Sequence, residues 1–181
     1  MVATTEYSEA VTNLTASPQT VAHRKSGRIK TVIDQVAITA ATSTNEAGDT
    51  LLFAPIPSNA VILDVLILND DLDSDGSPAL EGDFGLVYSG IGGNQKLNGN
   101  TIGTEADLNC FADATTELQT ANTTWASVRT ATDNITDVDK EAWEVAGLTA
   151  NPGGLLLVSF TVGTAAATGA DGDLVVRVDY I

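Results

Sequence analysis

The densest run of chemically capable side chains is Asp71-Leu72-Asp73-Ser74-Asp75-Gly76. Carboxylates at alternate positions of a tight loop are hard oxygen donors of the kind calcium takes, and glycine lets such a loop turn. The helix–loop–helix form of that site needs a glutamate at position twelve, but counted from Asp71, Glu81 is eleventh and Gly82 twelfth. Pro78 interrupts the stretch, and the residues before it read as a strand. An EF-hand is therefore rejected. Two readings remain: a calcium loop of another kind, with Asp71, Asp73 and Asp75 as ligands, or a solvated acidic loop at a strand end. The solvated loop is preferred, with no cofactor required.

The second signal is a basic cluster. Arg24, Lys25, Arg28 and Lys30 are half of the 8 basic residues and fall within seven positions that hold no acid. The other 181 − 7 = 174 residues carry 24 acids and four bases, a net of 4 − 24 = −20, within a chain of net charge −16. A basic patch on an acidic protein docks onto an acidic surface, such as a partner protein or the acidic loops of a neighbouring subunit. The alternatives are a solvated tail or a nucleic-acid patch. No aromatics interleave the four charges, and the overall charge repels phosphate, so nucleic acid is not the expected partner.

Catalytic parts are scarce. The chain has no Gly-x-Ser-x-Gly elbow, no His-Glu-x-x-His pair and no phosphate loop ending in Gly-Lys-Ser/Thr. Its one histidine, His23, lies in a polar stretch and cannot build a His-rich metal site. Carboxylate pairs of the glycosidase kind are abundant, but aromatics are only 5% of the chain, too few for a sugar platform. Trp125 and Trp143 are expected to pack in the core, and Cys110 to be a buried small hydrophobe. With one cysteine no intrachain disulfide forms, which suits folding in a reducing cytoplasm. No apolar run of about 18 residues exists, so no membrane helix is expected. The first residues have neither the basic nor the apolar region of a secretory signal.

These loops must hang from a scaffold that reads mostly as strands. Residues 1–28 are a polar arm, either disordered or ordered against a neighbouring subunit. Residues 29–181 form the domain. Residues 29–40 are rich in β-branched side chains. Leu51, Leu52 and Phe53 make a short strand that Pro55 and Pro57 are expected to end. Residues 60–68 are apolar on both faces except Asp64, which suggests a central strand covered on both sides. Residues 83–89 alternate, with Phe84, Leu86 and Tyr88 on one face. Residues 155–162 read as a buried strand. Residues 174–181 place Leu174, Val176, Val178 and Tyr180 inward and Arg177 and Asp179 outward.

Two helices are expected. One spans 136–147, capped by Thr136 or Asp137 and stopped by Gly147. The other spans 106–114, where Leu108 and Phe111 lie three apart. Long loops are placed at 70–82 and 90–103, the second rich in Gly and Asn, and a short loop at 165–170. Six or seven consecutive strands without long helices between them point to an antiparallel β-sandwich of jelly-roll type with one or two short helices.

The order of several segments carries a resemblance. Pro57-Ser58-Asn59-Ala60-Val61-Ile62 leads into a strand, followed by Leu68-Asn69-Asp70-Asp71-Leu72-Asp73. Asp83-Phe84-Gly85-Leu86-Val87-Tyr88 comes next, then Ala142-Trp143-Glu144-Val145-Ala146-Gly147-Leu148, and two strands close the chain. Over residues 29–181 this resembles the small virion structural proteins of tailed bacteriophages, of the head decoration or cement type. The resemblance implies a non-enzymatic protein, made in the host cytoplasm, that binds the outside of an icosahedral head. There it would contact the major capsid protein and stabilise capsomer contacts, commonly as a homotrimer with an ordered terminal arm. It implies no nucleic-acid and no membrane partner. A tail, neck or fibre-associated module of the virion, or a carbohydrate-binding adhesion module, is the alternative.

Overall fold

The computed structural model of the chain describes residues 5–7, 28–40, 46–91, 104–129, 137 and 139–181. Nine strands follow in order: β1 (Thr5–Tyr7), β2 (Lys30–Ile38), β3 (Thr50–Pro57), β4 (Ile62–Asn69), β5 (Glu81–Tyr88), β6 (Thr104–Thr115), β7 (Asn122–Ser127), β8 (Leu155–Thr164) and β9 (Gly172–Tyr180). A 3₁₀ turn, Glu117–Gln119, precedes β7, and a single helical turn, α1 (Ala142–Val145), precedes β8.

The strands form two sheets, ordered β1-β3-β8-β5-β6 and β2-β9-β4-β7. From β2 onward the pairs β2·β9, β3·β8, β4·β7 and β5·β6 are those of one long antiparallel hairpin rolled into two sheets. That is the jelly-roll order, and the expected sandwich class holds. The arm contributes β1, a parallel edge strand against β3, with Thr5 opposite Thr50 and Tyr7 opposite Leu52.

The core lies between the sheets. Val36, Ile38, Val65, Ile67, Val176 and Val178 come from one sheet, and Leu51, Phe53, Phe84, Leu86, Phe111, Val158 and Phe160 from the other, all buried. Burying each of these large side chains stabilises the fold by about 1.5–3 kcal/mol. The rings of Phe84 and Phe160 meet at 5.0 Å on adjacent strands. β9 buries Leu174, Val176, Val178 and Tyr180 on alternate positions, as its pattern requires.

Several expectations are corrected. The helix expected at 106–114 is part of β6. Leu108 and Phe111 point to opposite sides of the sheet, Leu108 to its outer cluster and Phe111 to the core, as residues three apart do in a strand. Repeated register shifts against β5 mask the two-residue period. The helix expected at 136–147 is one turn only. Its N-cap is Glu141, which forms a capping box with Glu144, rather than Thr136 or Asp137; Thr136 lies outside the described residues. Gly147, at φ 65°, does stop it.

Pro55 does not end β3, although Pro57 is its last residue. A bulge at Ala54, φ 37°, shifts the register so that the strand continues through Pro55 and stops at Pro57. β4 is central in its sheet but covered on one side only. Ile62, Val65 and Ile67 are buried, whereas Leu63 is exposed and Leu66 and Leu68 are half-buried. Its apolar outer face looks outward rather than into a second layer. Burial on both faces is found in the other sheet instead, most fully in β8, all of whose first six residues are buried. Trp125 is exposed and Trp143 half-buried, so neither is a core residue. Cys110 is half-buried and packs against the core edge.

Candidate functional site

The acidic loop joins β4 to β5, and at its centre the structure departs from a solvated stretch. Asp73 is only 1% exposed. Its Oδ2 accepts hydrogen bonds from the backbone N–H of Ala79 (2.7 Å), Leu80 (3.0 Å) and Ala167 (2.9 Å), and its Oδ1 from that of Thr168 (2.9 Å). A carboxylate has about four acceptor positions, and here four N–H groups fill them. Burial alone would push this carboxyl up, but the N–H groups of Thr168, Ala167, Ala79 and Leu80 more than offset it and lower its pKa to about 2.

The flanking acids serve the same loop. Asp71 Oδ1 accepts from the Asp73 N–H at 3.1 Å, and Asp75 Oδ1 from the Ser77 N–H at 2.9 Å. Asp75 Oδ2 accepts from the Thr168 hydroxyl at 3.0 Å. Asp71, Asp73 and Asp75 are thus brought into one loop, where all three carboxylates hold the protein's own donors. Among the described residues, no group of three or more His, Cys, Asp or Glu is arranged to hold a metal ion. Asp73 clamps two crossings of the sandwich together, because 70–80 leads from β4 to β5 and 165–171 from β8 to β9.

Two further polar residues escaped the sequence reading. Asp34 is buried on the core side of β2, and its Oδ2 accepts from the Ala54 N–H at 2.9 Å, tying the β3 bulge to the opposite sheet. Asn69, at the end of β4, donates to the Asp70 and Thr120 carbonyls and accepts from Asn122 at 2.9 Å. Strand parity could have flagged both. Asp34 shares a face with Val36 and Ile38, and Asn69 shares one with Val65 and Ile67.

The basic cluster is divided. Arg24 and Lys25 lie outside the described residues, as does His23. Arg28 is exposed just before β2, and the Lys30 ammonium lies 5.8 Å from the centroid of the Tyr180 ring. Burial pushes the Tyr180 phenol up. Farther along the same sheet, Arg177 grips Asp179 through Nη2–Oδ2 at 2.7 Å and lies 5.9 Å from the Trp125 ring centroid. Burial alone would raise the Asp179 carboxyl, but hydrogen bonds from Arg177 and Thr31 lower it. Arg129, after β7, donates to the Ile62 and Leu63 carbonyls at 2.7 and 3.1 Å. Of the glycine-rich loop, residues 92–103 lie outside the described residues. No helix among the described residues is long and apolar enough to cross a membrane.

No protein-family model and no curated protein matches the chain. Two solved structures do. The capsid of Ralstonia phage GP4 superposes with a TM-score of 0.62 at 20% identity, covering 98% of this chain and 97% of that one. The capsid asymmetric unit of cyanophage Pam1 gives 0.56 at 22% identity, covering 92% and 93%. At this identity the likeness establishes the shared jelly-roll fold over nearly the full length of all three chains.

Proposed function

We propose that the protein is a non-enzymatic structural protein of a tailed-phage virion, of the head decoration or cement type. It binds the outer surface of the icosahedral head, contacts the major capsid protein and stabilises capsomer contacts as a homotrimer, without nucleic acid, membrane or cofactor. The observation that carries this reading is end-to-end likeness to chains from two phage capsids. The segment order of residues 57–148 supports it independently. So does the use of the acidic loop, whose carboxylates fasten the sandwich instead of presenting reactive groups.

The mechanism is binding alone. Many copies each bury a modest interface, and multivalency raises the avidity of a trimer above that of one contact. Arg24, Lys25, Arg28 and Lys30 reach an adjacent subunit at the junction of arm and domain. An acidic exterior keeps decorated particles apart in solution.

The test is the copy number of this chain in purified particles, relative to the major capsid protein, by quantitative mass spectrometry. A simple stoichiometric fraction, amounting to hundreds of copies, is expected. A handful of copies moves the protein to the tail or neck, and absence from the particle overturns the reading.

A further inference from the structure

A sheet edge is where another chain can add a strand, because an edge strand carries a row of backbone N–H and C=O groups outside any ladder. β2 is the last strand of its sheet, and β3 is followed outward in the other sheet by the three-residue β1. β2 and β3 are in contact, and Asp34 joins them. Its side chain is buried on the core side of β2. Oδ2 accepts from the Ala54 N–H of β3 at 2.9 Å, and Oδ1 from the Gln35 N–H of β2 at 3.0 Å. One carboxylate thus takes a main-chain donor from the outer strand of each sheet.

Around this point β3 has little to offer an incoming strand. β1 covers Thr50, Leu51 and Leu52. Ala54 stands at φ 37°, a left-handed conformation that is uncommon for a residue with a side chain and foreign to a ladder. Pro55 and Pro57 have no N–H, yet both keep register with Leu157 and Leu155 of β8. They therefore hold the positions whose nitrogen faces away from β8, and Ile56 between them is the one that bonds inward to Leu156. Ser58, the next residue, donates to the Gly154 carbonyl at 3.0 Å. From Ala54 to Ser58 every backbone donor is missing or already engaged.

The far edge of the same sheet repeats the arrangement. On β6, Ala114 stands at φ 49° with its N–H held by Asp83 Oδ1 at 2.8 Å, and Asp107 Oδ1 holds the Asn109 N–H at 3.2 Å. Ala54 and Ala114 are the non-glycine residues at positive φ among the described residues, and an aspartate from outside the bulge holds the N–H of each.

We propose that Asp34 is an edge lock. It holds the β3 bulge in its left-handed form and draws in the Gln35 N–H, which closes the adjoining edges of the two sheets to strand addition by other copies of this chain. Inward-pointing charges, prolines and bulges are separate means of blocking edge-to-edge pairing, and here one buried carboxylate ties all three to both sheets. The inference stands apart from the virion reading.

The test compares the full chain with Asp34→Ala at neutral pH, by light scattering and thioflavin fluorescence, with Leu157→Ala as a control destabilised away from any edge. Folded Asp34→Ala is expected to form open-ended, thioflavin-positive assemblies that grow with protein concentration, while Leu157→Ala and the wild type do not. A folded Asp34→Ala that keeps the wild-type size overturns the proposal. So does equal assembly of Leu157→Ala, which would assign the effect to lost stability alone. Should Asp34→Ala fail to fold, Asp34→Asn keeps the shape and one acceptor oxygen, and amide hydrogen exchange reads the lock. The Ala54 or Gln35 amide is then expected to exchange about tenfold or more faster than in the wild type, with Leu51 and Phe53 unchanged. Unchanged exchange at both amides, or rapid exchange of both in the wild type itself, overturns it.

Discussion

The two sheets pack the same core between them, yet their outer faces have opposite fates. Behind β8 the chain supplies its own cover: Ile91 and Leu108 pack over Leu52, Val87, Leu155 and Leu157. Residues 107–108 of β6 come so close that a Cβ on Gly85 would lie 2.2 Å from the Asp107 carbonyl oxygen. Behind β9 no such cover over Ile33 is found among the described residues, and it stays exposed. Alternation within a strand sets which side chains share a face. It does not set whether that face is closed by the same chain, because closure depends on excursions elsewhere in the sequence. One sheet is closed by its own chain, and the other leaves Ile33 and Trp125 exposed.

The comparison can be broken at the points that fasten the sheets to each other. The largest effect is expected at Asp73. Asp73→Ala strands four backbone N–H groups in a buried site, each of which costs about 1–3 kcal/mol when unsatisfied. The result is loss of several kcal/mol by chemical denaturation, or failure to fold. Its pH signature has a definite sign. The carboxyl ordinarily titrates near 3.8 and in the fold near about 2, so its contribution is present above pH 4 and lost as pH falls toward 2. A shift of that size corresponds to about 2 kcal/mol. Wild-type stability measured across this range should decline, and Asp73→Asn should flatten the decline.

The next effect separates the two outer faces directly. Leu157→Ala, behind β8, should cost about 2–5 kcal/mol, as deletion of a buried leucine does. Ile33→Ala, behind β9, should stay within about 0.5 kcal/mol in the isolated protein. Equal values in urea denaturation would erase the distinction drawn between the sheets. Asp34→Ala comes third, at about 1–3 kcal/mol, because the Ala54 N–H in the β3 bulge loses its acceptor. The smallest expected effect is that of calcium. Titration calorimetry should show no heat above dilution, since Asp71, Asp73 and Asp75 already hold internal donors. A saturable heat would return the loop to the ligand reading.

Much of the scaffold was legible in particular residues. The Leu174-Val176-Val178-Tyr180 alternation specified the buried face of β9, and Gly147 specified the end of α1. The failures have a common cause. β6 looked helical because three-residue spacing fits both a helix turn and a strand interrupted by bulges. Pro55 looked like a strand end because a proline contributes no ladder donor, and only Pro57 is one. The bulge at Ala54 removed the conflict by shifting which residues face β8.

The acidic loop shows the same division at the level of function. Asp71, Asp73 and Asp75 announced a concentration of acceptors, but their chemistry depended on what reached them. That was the N–H groups of Ala167 and Thr168, more than ninety positions away in the chain.

The amino-acid sequence by itself determined the class of the protein: strand-forming, acidic, disulfide-free and without the parts of a familiar catalytic site. Those properties are local or additive, and they survive without knowledge of contacts. The tertiary structure alone decided which carboxylate became a clamp, which tryptophan stayed outside and which apolar face was left open. Each of these follows from long-range pairing, where bulges and crossing loops bring together residues whose spacing in the chain carries no record of the meeting.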